Sequence, residues 1–333
     1  MDDFNRFLLR RRMHGLYLSR GCENITRLSH ELLGLHCWFH RNVAFSALIR
    51  GTELSGWKHA LTKTWLYRGT LHGVNFSDLP LLLALHARGG GWEEHLGADK
   101  YKSIIERVTG LMEDGVYSRA EMRYIFASEY DKQTIDMVLS PWGGIFCELA
   151  RLGKVAFRNM TSRDFDLIEA SPTQSPEEAL PVLFRQFINA YGPATLDDAA
   201  WFFGLWKERK KELTALDTDE YLRAEHDKRT FFYTEEASDC ADIPELTLLS
   251  GFDPYIVSYA ERGAMLPPEY KPSVIMKSGI CLPSIAVNGR VAGLWNIKKN
   301  EPVVQFFSEQ PKRIIDKAEE MASYICAQTR GQL

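Results

Sequence analysis

The chain reads as an α+β protein built from tandem winged helix-turn-helix units, followed by a small C-terminal antiparallel sheet with a terminal helix. Three observations predict this. A run of helix, turn, capped helix, further helix and hairpin occurs twice between residues 100 and 236. From Ser273 onward the pattern changes to short strands around Asn288-Gly289. No run of about 18 apolar residues occurs, so there is no candidate membrane span.

Each element has a local reason. Residues 100–113, KYKSIIERVTGLME, carry apolar side chains at helical spacing, and Gly115 ends the helix. Ser118-Arg119-Ala120-Glu121 then offers a capping box, in which the serine hydroxyl accepts one orphan amide and the glutamate another. IDMVLSPWGGIFCELARLG, 135–153, predicts a further helix ending at Gly153, and KVAFRN with DFDLIEA predicts a hairpin. The order then repeats. Ser175-Pro176-Glu177-Glu178 starts a helix with proline at its first position, continuing through PEEALPVLFRQFINAYG. Thr195-Leu196-Asp197-Asp198 caps a second, WKERKKELTAL at 206–216 is the third, and YLRAEHDKRTFFYTEE at 221–236 is the hairpin. In the C-terminal stretch Asn288-Gly289 predicts a tight hairpin turn, Lys298-Lys299 fall at a strand end, and a last helix runs from about Pro311 to Gln328.

With 333 residues, the chain exceeds the roughly 250–300 at which single cores stop growing, so several modules are expected. Apolar residues at 45% and charged residues at 25% exclude a disordered or fibrous chain. The six cysteines form no CxxC pair, which leaves a disulfide framework or cysteine zinc site without support. MDDFNRFLLRRRMHG lacks the charged-then-apolar layout of a secretion signal, and we expect a cytoplasmic protein. A net charge of −4 argues against a uniformly basic coat, but residues 1–70 carry eleven Lys and Arg against five Asp and Glu, a net +6, leaving −10 for the remainder. A polyanion would therefore be met by local surfaces.

In a winged helix the third helix and the hairpin commonly meet DNA. Lys207, Arg209, Lys210 and Lys211 on the third helix of the second copy, with Lys228 and Arg229 at its hairpin turn, are the candidate phosphate contacts. Winged helices also serve as protein-protein modules, and charge runs are often solvated faces, so that reading stays open.

The segments together resemble one family. WLYRGTLHGVNFSDLPLLLAL, with Arg68-Gly69-Thr70-Leu71-His72 at its centre, is similar to the hallmark of the AlkZ-like (YcaQ-like) winged-helix DNA glycosylases. YGPATLDDAAWFFGL, GFDPYIVSYAERGAML and VNGRVAGLW resemble that family's later segments in the same order. The resemblance implies three winged-helix units, at 1–95, 96–172 and 173–240, before a β-rich region at 241–333. It also implies a concave arrangement around duplex DNA and hydrolysis of the bond joining an alkylated or crosslinked purine to deoxyribose. Double-stranded DNA is the implied partner, with no cofactor, and a monomer is expected.

Gly34-Leu35-His36-Cys37-Trp38-Phe39-His40-Arg41 falls where the family carries a triplet of Gln, an apolar residue, then Gln or Asp, between a Gly-Leu and an Arg. Gly34-Leu35 and Arg41 match, while His36 and Trp38 replace both catalytic positions. Hydrolysis builds positive charge on the sugar and needs a group that holds and deprotonates water. A neutral imidazole, whose ordinary pKa is about 6.5, can do this. An indole N–H only donates, which leaves Trp38 a stacking role. Both residues are also compatible with core positions in a silent relative. Two functions therefore remain open, a glycosylase and a non-catalytic winged-helix DNA-binding protein such as a regulator or damage sensor.

A metal reading of His36 and His40, four apart, lacks an acidic or third ligand. Arg68, Thr70 and His72 are the hallmark residues near the site, and their alternative reading is a helix-to-strand junction with His72 bonded to backbone. Phe252-Asp253-Pro254 reads as a structural turn.

Overall fold

The computed structural model describes residues 2–86, 91–234 and 240–331. It is a mixed helix and sheet protein with small antiparallel sheets, and it divides into two compact units. One comprises Met1–Trp57 with Phe184–Leu333, the other Lys58–Leu183. Glu235 and Glu236, the end of the expected second hairpin, lie outside the described residues.

In the unit Lys58–Leu183, strands Leu71–Val74, Thr62–Trp65, Val155–Phe157 and Phe165–Leu167 lie side by side, all antiparallel. Helices Ala98–Glu113, Arg119–Phe126, Lys132–Val138 and Ile145–Arg151 precede the expected hairpin. Ser118 and Glu121 form the capping box as the sequence predicts. The single helix expected over 135–153 is two helices. Pro141 has no amide to continue the first, and Gly143 (φ 139°) and Gly144 (φ 58°, ψ −142°) take backbone angles that favour glycine. A Cβ at Gly144 would lie 2.1 Å from the Val138 carbonyl oxygen.

In the other unit, helix Asp3–Gly15 is capped by Asp2, and its last residue has to be glycine because a Cβ there would meet the Ala190 carbonyl at 2.3 Å. Helix Ile25–Glu31 leads through left-handed Leu33 (φ 56°) and Gly34 (φ 106°) into the two-residue strand Leu35–His36, and helix His40–Ile49 follows. Strands Leu246–Leu249, Ser284–Val287, Arg290–Lys298 and Glu301–Phe306 form an antiparallel meander backed by helix Lys312–Thr329. Asn288 (φ 49°) and Gly289 (φ 79°) make the predicted tight turn.

The expected third helix, 206–216, is instead a 3₁₀ turn, Lys207–Arg209, and a five-residue helix, Lys210–Thr214. Among its described residues only Leu213 is buried, so no apolar face holds a longer helix together. Hairpin Leu222–His226 with Arg229–Tyr233 follows as expected, but its turn is Asp227 (φ 47°) and Lys228 (φ 59°), and Arg229, expected in the turn, opens the second strand paired with His226.

Two arginines from the N-terminal basic stretch are internal crosspieces. The Arg12 guanidinium donates to the Pro193 carbonyl, stands 3.5 Å from Asp198 and lies 3.7 Å over the Tyr259 ring. Arg50 and Asp253 are 1% and 0% exposed and meet through two hydrogen bonds of 2.9 and 3.1 Å. Arg50 also donates to the Leu16 and Ser46 carbonyls, and the Asp253 carboxylate also accepts from the Ser250 and Tyr255 amides. With Arg11 and Lys63 buried as well, the +6 of residues 1–70 is not one DNA-facing surface.

Removing one member of a buried, fully bonded ion pair strands the other's charge. Asp253→Asn is expected to lower unfolding stability by about 3–5 kcal/mol, measured by urea denaturation, whereas Arg50→Met with Asp253→Leu should recover part of that loss.

Candidate functional site

The triplet is set by backbone geometry. The left-handed pair Leu33-Gly34 turns the chain out of helix Ile25–Glu31, and Phe39 (φ −110°, ψ 122°) starts the next helix at His40. His36 therefore ends a strand and His40 begins a helix, so the two do not share a helical face, and a common metal site loses its geometric basis. No cluster of three His, Cys, Asp or Glu able to hold a metal occurs among the described residues. His36 and Trp38 are half-buried, and Cys37 between them is buried.

The His36 ring lies flat on Phe252, with centroids 4.2 Å apart and planes 5° from parallel. Phe39 is tilted against the same ring at 6.5 Å. The nearby carboxylate of Asp253 is fully committed: it caps helix Pro254–Val257 through Tyr255, accepts from Ser250 and pairs with Arg50. The Phe252-Asp253-Pro254 stretch is thus a structural turn. His36 is the proton-accepting side chain of the triplet.

Of the basic candidates, Lys210 pairs with Asp197 at 2.5 Å, and Arg209 is hydrogen-bonded through two nitrogens to Glu212. Lys207, Lys211 and Lys228 are exposed and form no ion pair with a described residue. Trp206, beside them, is 48% exposed and edge-on to Trp201 at 5.5 Å. An aromatic interleaved with cations is a nucleic-acid signature that the WKERKK spelling already carries. Arg229 and Arg290 line one cavity of about 270 Å³, together with His226 and Glu261. The Glu261 carboxyl is held below its ordinary pKa by the Gly263 amide it accepts, and Arg229 adds to that effect. Arg290 follows the Asn288-Gly289 turn, and nothing in its spacing marks it as a partner of Arg229.

The hallmark residues lie in the unit Lys58–Leu183. Arg68 (φ 56°) occupies a 3₁₀ turn, Tyr67–Gly69, and the Thr70 hydroxyl donates to the Tyr67 carbonyl. His72 is buried in strand Leu71–Val74, and its Nδ1–H donates to the Thr70 carbonyl at 3.1 Å. Burial and the Arg68 charge push the His72 ring down to a pKa of about 3. His72 is neutral at working pH and bonded to backbone, and the junction expected to join a helix to a strand is a 3₁₀ turn between strands Thr62–Trp65 and Leu71–Val74.

Comparison with known proteins gives concordant results. The family described as DNA glycosylase AlkZ-like matches residues 58–320. An interstrand DNA cross-link repair glycosylase of Streptomyces sahachiroi is 26% identical over 298 residues, covering 80% of this chain and 78% of the relative. The solved structure of the Streptomyces sahachiroi DNA glycosylase AlkZ matches with a TM-score of 0.77 at 25% identity, covering 97% of this chain and 96% of that one.

His72 generates a pH prediction. Unfolded histidine takes a proton near pH 6.5, whereas folded His72 resists protonation down to about 3. Between those values the unfolded chain holds the extra proton, so stability falls as pH drops from about 6.5 toward 3, by up to about 1.4 kcal/mol per pH unit from this group. Urea unfolding at pH 7, 6 and 5 should show His72→Asn, which keeps a donor for Thr70, with a shallower decline than the parent. Equal slopes would remove His72 as the source.

Proposed function

The chain belongs to the AlkZ-like DNA glycosylase family, and from that premise we propose that it binds duplex DNA and hydrolyses the N-glycosidic bond of an alkylated or crosslinked purine, with His36 as the water-activating group. The observation that carries the proposal is the His36 imidazole, face to face with Phe252 while Asp253 is committed elsewhere, in the triplet that by sequence resemblance stands for the family's catalytic one. Water oxygen adds to C1′ of the sugar, and the C1′–N bond breaks with its electron pair leaving on the base. The water proton passes to the neutral imidazole. An N-alkylated purine is cationic and leaves neutral, so no general acid is needed. Trp38, which accepts no proton, shapes the site or stacks on a base.

In this reading Lys207, Lys211 and Lys228 make phosphate contacts, with Arg229 and Arg290 as a second group and Arg209 and Lys210 partly offset by their carboxylates. Arg68, Thr70 and His72 act through the turn-to-strand junction they form and not on the reacting atoms. The division into winged-helix units at 1–95, 96–172 and 173–240, with a β-rich region after 241, is part of the same proposal, as are a monomeric state and a cytoplasmic location. Among the described residues no helix is long and apolar enough to cross a membrane.

His36→Ala should lower the single-turnover rate of abasic-site formation on a duplex with an N-methylated purine by roughly 10²–10⁴, with thermal melting unchanged. Trp38→Phe, which keeps most stacking area, should cost much less. Equal rates for parent and His36→Ala would remove His36 from the chemistry, and no product from either would favour non-catalytic DNA binding.

Lys211→Glu with Lys228→Glu should weaken binding to all duplex sequences alike. For every phosphate that is no longer neutralised, the log–log salt slope should become shallower by about 0.9. Unchanged affinity and slope would place the DNA on another surface.

A further inference from the structure

We infer that Phe252 is the positioning residue that fixes the plane of the His36 imidazole, and that its unfavourable backbone conformation is maintained for that purpose. The inference rests on the catalytic reading of His36 and adds to it the residue that holds the ring.

Phe252 has φ 55°, a left-handed conformation that residues with large side chains seldom occupy. A bulky residue stays there only where the surroundings over-determine the turn. Three attachments do so. The Phe252 amide donates to the Cys281 carbonyl at 3.2 Å. On its N-terminal side Gly251 packs so closely on Asn42 that a Cβ would lie 2.8 Å from the Asn42 side-chain oxygen. On its C-terminal side Asp253 is locked by Arg50, Ser250 and Tyr255. With both neighbours fixed, the left-handed turn directs the Phe252 ring onto His36, where the planes are 5° from parallel.

A face-on ring restricts the imidazole's rotation about χ2 while leaving its in-plane nitrogens at the ring edge, the arrangement a proton acceptor needs. Glycine would adopt the backbone angles at 252 without steric strain but would supply no ring. An aromatic side chain at a strained position is therefore explained by what the ring does.

The test compares Phe252→Tyr, Phe252→Leu and Phe252→Gly in the full chain. Selective labelling of histidine reads the His36 ring protons by NMR, assigned with His36→Ala, and a stacked aromatic moves them upfield. The parent and the Tyr variant should show that shift, and the Leu and Gly variants should lose it. On the methylated duplex, Leu and Gly should lose single-turnover rate on the order of 10²-fold while Tyr stays close to the parent and DNA affinity is unchanged in all three. Glycine separates the ring from the strain, because it relieves the backbone while removing the stack. If the parent and Tyr variant lack the upfield shift, or if Leu or Gly retains the single-turnover rate, the inference is overturned. If no protein forms product but the shift is present in the parent and Tyr variant and lost in Leu and Gly, the excision reading fails while the stack of Phe252 on His36 stands.

Discussion

The unit formed by Met1–Trp57 and Phe184–Leu333 depends on one buried ion pair, Arg50 with Asp253. An isolated charge in a dry interior is costly, so each partner is tolerable only with the other and with further hydrogen bonds on its remaining donors and lone pairs. Both conditions are met. The guanidinium joins the ends of helices Asp3–Gly15 and His40–Ile49 through the Leu16 and Ser46 carbonyls, while the carboxylate joins Ser250 at the end of a strand to Tyr255 in the following helix. The pair thereby fixes the turn Ser250–Asp253, and that turn presents Phe252 to His36.

The same principle limits how much of the chain's positive charge can meet DNA. Arginine is suited to internal crosspieces because its planar fork satisfies several carbonyls or a carboxylate at once. Arg12 is used in this way against Pro193 and Asp198. Lysine, a point charge on a flexible stem, is what remains exposed at Lys207, Lys211 and Lys228. In the proposed DNA-binding reading, a protein of net −4 would meet a polyanion through these few local cations, with an exposed Trp206 among them.

What was legible in the sequence were the features whose causes are local. The caps at Ser118 and Thr195 and the Asn288-Gly289 turn each follow from neighbouring residues and recur in the structure, whereas the second hairpin turns one residue earlier than the Lys228-Arg229 expected. Helix continuity was less legible. An apolar period ran through 135–153 although Pro141 and Gly144 interrupt it, and the charged 206–216 stretch lacked the buried face that sustains a long helix. Least legible were contacts between distant positions. Arg50 and Asp253 are 203 residues apart, and no periodicity links them. In the candidate site His36 and Trp38 stood out by residue type, whereas Phe252 did not, because its significance is a backbone angle and a stacking partner rather than a motif.

By the resemblance, an imidazole at 36 stands for a carboxamide and an indole at 38 for a carboxamide or carboxylate, and the proposed chemistry changes with both. An amide orients water through hydrogen bonds but has negligible basicity, and a carboxylate brings a charge that also stabilises the developing sugar cation. A neutral imidazole accepts the proton readily yet contributes little to the sugar until it becomes cationic, when its charge opposes that of the sugar. A site organised this way gains from a base that leaves early and from an imidazole held so that its lone pair, not its face, meets the water. A face-on phenyl ring also tolerates the imidazolium formed on proton transfer, because its negative face attracts a cation. In the proposed mechanism the His36–Phe252 stack would steady the imidazolium formed on proton transfer, and the fold provides that stack through a turn held by Asp253.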